Sequence, residues 1–230
     1  MPTTSSHSPT PCPLWLTGTI QFRMRLSTIS AIGEANDSEH PNVLRLSIIR
    51  SRLDHIIIAL ILRLPMFLQS LPRALFPGFF LPDRVILKRL KPDWLDEFDN
   101  EKRIYERLKN LQGRMIPRLY GEARFEGTRA LVLSEVHGIM PWEQELPPLK
   151  LEEFKALVEV VFRELNVLGL GYEDISMGNF IIAEDRVVLV DLESVYEAEP
   201  EDREYMFNSD RVQLGTVYQR YLDNYENGLL

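Results

Sequence analysis

The sequence predicts an α+β protein with two small lobes, a small antiparallel sheet followed by a mainly helical part. Short apolar runs that include β-branched residues indicate strands at 84–90 and 130–136, and the turn Glu126-Gly127-Thr128 marks a further strand before it, at 120–126. An apolar stripe at spacings of three, four and seven residues over 151–168 indicates a long amphipathic helix that belongs to the core. The chain has 230 residues, of which 45% are hydrophobic, and this is enough to build such a core.

Charge and cysteine usage narrow the function classes. The formal net charge is −8, which argues against a nucleic-acid-binding protein. Residues 1–80 hold seven arginines, no lysine and four acids, whereas residues 81–230 hold 19 basic and 30 acidic residues. The single cysteine, Cys12, excludes an intramolecular disulfide and fits a reducing compartment, so we expect a cytoplasmic or nuclear protein.

The N-terminal third divides into a polar and an apolar segment. Residues 1–42 are rich in Ser, Thr and Pro and lack the pattern of a signal peptide, so we expect a disordered leader. Residues 53–81 are apolar, but Arg63 and Pro65 interrupt them, so they predict no membrane-spanning helix. We expect this segment to pack against the first lobe. The alternative is an interfacial amphipathic helix with its arginines at the lipid headgroups, namely Arg50, Arg52, Arg63 and Arg73.

A lysine and a glutamate stand out in the first lobe. Lys88 ends the apolar run Val85-Ile-Leu-Lys, and Glu101 follows within a helix that we predict near 96–110. One face of that helix collects Glu101 and three large side chains, Phe98, Tyr105 and Leu108. Taken alone, Lys88 and Glu101 could both be ordinary solvated surface charges.

The most informative segment is Gly171 to Ser194, which has the spacing D-x4-N-x11-D. Asp174 and Asn179 precede a predicted hairpin, formed by a strand at 180–183 and a second strand at 186–190. Asp191 follows the second strand directly. Carboxylate and amide oxygens from neighbouring loops suit Mg²⁺, although Asp and Asn are also common as simple turn formers.

This order of residues resembles the catalytic loop and metal-binding strand end of protein-kinase-like phosphotransferases, whose usual strings are H-x-D-x-x-x-x-N and D-F-G. The run ending in Lys88 is similar to their V-A-I-K strand. The phrases YERLKNLQGRMIPRLYG and GYEDISMGNFII look closest to small divergent fungal kinase-like proteins and aminoglycoside phosphotransferases. The resemblance covers about Val85 to Ser194.

The resemblance implies a two-lobed protein-kinase-like fold with a truncated, mainly helical C-lobe. An N-terminal extension and the N-lobe would occupy residues 43–136, and the C-lobe residues 137–230. The implied activity is transfer of the γ-phosphoryl group of ATP, with Mg²⁺, to a hydroxyl of a protein or small molecule.

The resemblance also assigns roles around the phosphates. Asp174 would orient and deprotonate the acceptor hydroxyl, and Asn179 and Asp191 would hold the metal. Lys88 would contact the α- and β-phosphates and pair with Glu101, as in the V-A-I-K strand and its partner helix.

A second set of residues would contact adenine. Leu133 would sit at the back of the pocket, and Ser134 and Val136 would offer backbone carbonyl and amide groups. Backbone recognition of this kind leaves no side-chain pattern in a sequence.

Several residues depart from the family pattern. No glycine-rich loop precedes Lys88, because Gly78 is the only glycine between Gly33 and Gly113. Tyr172 replaces the usual histidine, and Leu192-Glu193 follows Asp191 in place of Phe-Gly. Two alternatives therefore stay open: a pseudokinase that binds nucleotide or acts as a scaffold, and an unrelated α+β binding protein.

Overall fold

The computed structural model describes residues 18–35 and 40–229. The chain forms two compact units, the first made of Met1–Arg89 with Gly121–Val132 and the second of Leu90–Tyr120 with Leu133–Leu230. The chain thus leaves the first unit, returns to it and leaves it again. This division differs from the expected single boundary between residues 136 and 137.

The first unit contains a closed barrel of six antiparallel strands. In chain order the strands are β1 (Gly18–Met24), β2 (Ser27–Ala35), β3 (Val43–Ile49), β4 (Arg84–Arg89), β5 (Leu119–Phe125) and β6 (Thr128–Ser134). Around the barrel the order is β1-β2-β3-β4-β6-β5, and Arg23 pairs with Arg124 where β1 meets β5. The predicted two-lobed kinase-like fold is therefore wrong, because the sheet closes on itself.

The expected disordered leader is also wrong for the residues that form β1 and β2. In β1 every second side chain is buried, at Ile20, Phe22 and Met24, and the side chains between them are exposed. This is the period of a half-buried strand, and the Ser- and Thr-rich composition of the segment obscured it. Residues 1–17, with Cys12, and 36–39 lie outside the described part of the chain.

The barrel interior is filled by large apolar side chains. In register, Leu46 of β3 lies opposite Val85 of β4, and both are fully buried. The hairpin between β5 and β6 turns at Glu126 and Gly127, which have φ of 50° and 79°. Two successive residues of positive φ are typical of a type I′ turn, whose twist suits an antiparallel hairpin.

Two short helices lie between β3 and β4. Helix α1 (Arg52–Leu62) begins at Ser51, whose hydroxyl accepts the Asp54 N–H at 3.2 Å while Asp54 accepts the Ser51 N–H at 2.7 Å. Helix α2 (Met66–Leu75) follows. Neither helix has a buried residue, so the expected packing of residues 53–81 against the first lobe is wrong for the two helices, whereas Gly78 and Leu81 at the end of the segment are buried. Within the described residues, no helix has the length and hydropathy to cross a membrane.

A 3-10 turn, Pro77–Phe80, joins these helices to the barrel. Gly78 is buried there against β2, and a Cβ at this position would lie 2.6 Å from Cγ1 of Ile29 and 3.0 Å from Cβ of Ser27. The turn approaches the strand closely only because residue 78 has no side chain.

The second unit is built on three helices, α3 (Leu95–Arg107), α4 (Leu151–Val167) and α5 (Arg203–Glu226). Four short strands form two antiparallel pairs, β7 (Leu170–Tyr172) with β10 (Val195–Glu197) and β8 (Phe180–Ala183) with β9 (Arg186–Leu189). The predicted helices near 96–110 and 151–168 and the predicted hairpin after Asn179 are confirmed.

The core of the second unit is aromatic. Phe154 of α4 stacks on Tyr218 of α5 with ring centroids 3.9 Å apart. Phe180 meets Phe162 and Tyr172 edge to face, at 5.8 and 6.2 Å. The ring of Phe180 therefore fixes the start of β8 against α4 and β7.

We expect Gly78→Ala to lower the free energy of unfolding by about 1–3 kcal/mol, because an added methyl group has to displace the packed Ile29 and Ser27 side chains. Urea denaturation followed by circular dichroism measures this change.

Gly18→Ala is the matched control, since a Cβ on Gly18 would meet no atom within 4 Å and the residue has no positive φ. A loss of stability as large in Gly18→Ala as in Gly78→Ala would show that close packing at residue 78 is not the cause.

Candidate functional site

Asp174 and Asn179 form one hydrogen-bonded loop in the second unit. The Asn179 side-chain Nδ2 donates to the Asp174 carbonyl oxygen at 3.0 Å and to its Oδ2 at 2.9 Å. The Ser176 N–H also donates to the Asp174 carbonyl at 2.8 Å. Asn179 is buried and Asp174 is exposed. The buried amide thus orients a carboxylate that solvent and ligands can reach.

The β8–β9 hairpin brings Asp191 back to this loop. Phe180 pairs with Leu189 in register, and the Val190 N–H donates to the Asn179 carbonyl at 2.9 Å. Asp191, the next residue, therefore emerges beside Asn179. The three residues of the D-x4-N-x11-D spacing lie together at one end of the hairpin.

Asp191 belongs to a cluster of three carboxylates, which we call the acidic cluster: Glu101, Asp191 and Glu193. One oxygen of each lies within 4.8 Å of the other two. Glu101 on α3 is fully buried, and its Oε1 accepts the Leu192 N–H at 3.5 Å. The Glu193 N–H donates to Asp191 Oδ1 at 2.9 Å. Carboxylate oxygens are the hard donor atoms that Mg²⁺ prefers.

Two residues near the start of α3 secure the segment that follows Asp191. The Lys91 ammonium lies 2.6 Å from Glu193 Oε2. The Asn100 amide donates to the carbonyls of Glu193 and Val195 at 3.0 and 2.8 Å. These contacts fix the acidic cluster on the helix that carries Glu101.

Two buried phenols report the negative charge of the site. Burial raises the pKa of Tyr105 well above its usual value, and the charges of Glu101 and Asp191 raise it further. Burial likewise raises the pKa of Tyr172, followed by the charges of Asp191 and Asp174. Both phenols stay protonated at neutral pH, and Tyr172 is close enough to feel both aspartates.

The predicted adenine contacts lie at the end of β6. Leu133 is buried, and Ser134 and Val136 are half-buried. The Ser134 N–H donates to the Arg118 carbonyl, and the Ser134 hydroxyl accepts the Arg118 N–H, both at 2.8 Å. The Ser134 amide is therefore already engaged, and adenine recognition by this segment stays a prediction.

Lys88 and Glu101 are not ordinary surface charges. Lys88 lies in β4 opposite Val43 and is 5% exposed, and Glu101 is 0% exposed. The alternative explanation, two solvated charges, is therefore wrong. The two residues belong to different units, and their pairing stays a prediction.

The sequence patterns did not identify three residues of the site. Glu193 could have been found, because Asp191-Leu-Glu193 alternates and places two acids on one side of an extended chain. Lys91 and Asn100 carried no such signal, since they contact Glu193 across 102 and 93 residues of sequence.

No protein-family model matches the chain, and no curated protein matches it.

A further carboxyl group, that of Asp210, contacts β7 just before the Asp174 loop. Asp210 of α5 is buried and accepts a hydrogen bond from the Tyr172 backbone N–H. Burial raises its pKa from 3.8 to about 6, although this hydrogen bond acts in the opposite direction. The protonated form of Asp210 is thus favoured by folding.

A raised pKa in the folded state gives a defined pH dependence. The stability associated with Asp210 is fully present below 3.8 and is lost as the pH rises through about 6. Asp210→Asn keeps an acceptor for the Tyr172 N–H and does not ionise. We therefore expect its free energy of unfolding, relative to wild type, to increase across this pH range in urea titrations.

Asp223→Asn on the same helix is the control, because Asp223 is exposed and its carboxylate accepts a hydrogen bond from the Gln219 amide of the same helix. A difference between Asp210→Asn and wild type that does not change with pH would contradict the raised pKa.

Proposed function

We propose that the protein is a phosphotransferase that moves the γ-phosphoryl group of ATP to a hydroxyl acceptor. The observation that carries the proposal is the convergence of Asp174, Asn179 and Asp191 at one end of a single hairpin. Hairpin pairing brings Asp191 beside Asn179, and the Asn179 amide in addition binds the Asp174 carboxylate. The single cysteine agrees with a reaction in the cytoplasm or nucleus.

Asp174 is the residue best placed to act as the base. Its carboxylate is exposed, and the buried Asn179 amide fixes one of its oxygens at 2.9 Å. A base held in one orientation can receive a proton from a bound hydroxyl without reorganisation. We assign to Asn179 the positioning of this carboxylate.

The donor set of the second unit fits Mg²⁺. The acidic cluster offers one oxygen each from Glu101, Asp191 and Glu193, and the Asn179 amide nitrogen points to Asp174, which leaves its carboxamide oxygen as a further donor atom. When bound, Mg²⁺ neutralises the charge of the nucleotide phosphates. Without such compensation, the acidic cluster would repel a polyphosphate.

In the transfer step one P–O bond forms and one breaks, and Asp174 accepts the proton. The acceptor oxygen bonds to the γ-phosphorus while the bond from this phosphorus to the β–γ bridging oxygen breaks. ADP leaves with the electron pair of that bond, and the hydroxyl proton passes to the Asp174 carboxylate. Positioning and charge compensation supply most of the catalysis in reactions of this class.

A nucleotide-binding protein without turnover is the second candidate. Backbone amides of a glycine-rich loop usually cradle the phosphates. Gly78, the one glycine between Gly33 and Gly113, instead packs against Ile29 and Ser27. This favours slow transfer or none. Mg²⁺-dependent nucleotide binding with no transfer to any acceptor would support this candidate over the first.

Asp174→Asn should lower phosphoryl transfer by about 10²–10⁴-fold, the usual contribution of a positioned base, and leave nucleotide binding unchanged. The measurement uses radiolabelled ATP with small-molecule and protein hydroxyl acceptors, and a parallel titration with a fluorescent nucleotide.

Asp185→Asn is the matched control, because Asp185 is an exposed carboxylate in the turn of the same hairpin. Equal transfer rates in wild type and Asp174→Asn would remove Asp174 from catalysis.

Asp191→Asn should weaken Mg²⁺ binding by about tenfold or more, since even outer-shell changes around a metal site cost this much. Isothermal titration of the nucleotide-free protein with Mg²⁺ measures the change, with Asp185→Asn again as the control. Unaltered Mg²⁺ affinity would show that the acidic cluster holds no metal, whatever the transfer assay gives.

A further inference from the structure

Helices α1 and α2 expose an unusually apolar surface, which we call the apolar hairpin (52–75). Large side chains that are normally buried stand in solvent, with exposed fractions of 69% for Leu53, 55% for Ile56, 57% for Leu60, 86% for Met66, 75% for Phe67 and 65% for Leu71. A contiguous apolar surface of this kind marks a site of interaction.

The exposed side chains follow helical spacing. Leu53, Ile57, Leu60 and Leu64 lie at i, i+4, i+7 and i+11 and form a stripe along α1, which continues past the end of the helix. Phe67 and Leu71 are one turn apart on α2. α2 is therefore amphipathic with an exposed apolar side, whereas α1 is apolar on all sides from Ile56 to Leu62.

The hairpin is fixed to the barrel and does not hang from it as a loose loop. Arg50, just before α1, pairs with Asp83 beside β4. The Gln69 amide donates to the Leu64 carbonyl at 2.7 Å and ties the two helices together. The Arg73 guanidinium lies 4.8 Å from the centre of the Phe80 ring. The first unit therefore presents the apolar surface in a defined geometry.

The charges beside this surface are positive. Arg52, Arg63 and Arg73 are exposed. The one acid between residues 51 and 82 is Asp54, whose carboxylate accepts the Ser51 N–H at the start of α1. Residues 81–230, by contrast, hold 19 basic and 30 acidic residues. An anionic surface would therefore attract the hairpin and repel most of the remaining chain.

We propose that the apolar hairpin docks on an anionic lipid surface, with its apolar side chains in the membrane interface and its arginines at the headgroups. Helices of 11 and 10 residues are about 15 Å long, half of what a span of the bilayer core needs, and an interfacial position suits them. A second copy of the chain is the poorer occupant, because a two-fold contact would bring the same arginines together.

Co-sedimentation of the full chain with phosphatidylcholine vesicles, with and without phosphatidylserine, tests the proposal. We expect binding to the vesicles that contain phosphatidylserine and its loss at high salt, which screens the arginines. The double variant Phe67→Ser with Leu71→Ser should bind at least about tenfold more weakly. The matched control replaces Val160 and Val212, which are 50% and 67% exposed in the second unit, by serine.

A single charge change separates electrostatic binding to the lipid headgroups from non-specific hydrophobic adsorption. Arg63→Gln should weaken binding by about fivefold, the effect of one basic residue at an anionic surface, and Arg220→Gln on the exposed side of α5 should not. Equal binding to both vesicle types, or binding unaffected by the serine variants, would overturn the proposal. The proposal would also be overturned if the protein did not bind vesicles and instead self-associated, in sedimentation velocity, in a way that depends on Phe67 and Leu71. None of these readouts depends on phosphoryl transfer.

Discussion

The accumulation of negative charge around Asp191 is the constraint on which the second unit depends. Glu101 is fully buried, and one of its carboxylate oxygens lies within 4.8 Å of an oxygen of Asp191 and of Glu193. Charges in such a place cost several kcal/mol each, by order of magnitude, unless they are compensated. The Lys91 ammonium and the Leu192 and Glu193 backbone N–H groups supply part of that compensation.

The site has a local and a non-local part. Asp174, Asn179 and Asp191 are arranged by hydrogen bonds within one loop and one hairpin. The acidic cluster, by contrast, also needs α3, which brings Glu101 and Asn100 from about ninety residues away. The proposed base and its positioning amide are therefore set by short-range folding, whereas the proposed metal position depends on tertiary packing.

This division explains how much the sequence could predict. The buried face of α3, with Phe98, Glu101 and Tyr105, follows from helical periodicity, and the β8–β9 hairpin follows from two apolar runs around a polar turn. The closed barrel does not follow, because closure depends on the pairing of Arg23 with Arg124, and no local pattern reports such a contact. The strand β1 was also missed. Its alternating apolar residues lie in a segment whose Ser- and Thr-rich composition predicts disorder. The exposure of α1 and α2 could not be deduced either, because apolar residues predict burial.

The closure of the barrel has a consequence for how the chain emerges during synthesis. β1 meets β5 about a hundred residues further along the chain, and such non-local pairing is slow. Until β5 and β6 leave the ribosome, β1 and β4 carry edges with unpaired N–H and C=O groups, which invite pairing with other chains. α3, which belongs to the second unit, is synthesised before the first unit can be completed. Synthesis of the two units therefore alternates along the chain. A nascent chain halted before residue 119 would carry an open sheet with unpaired edges that can bind other chains.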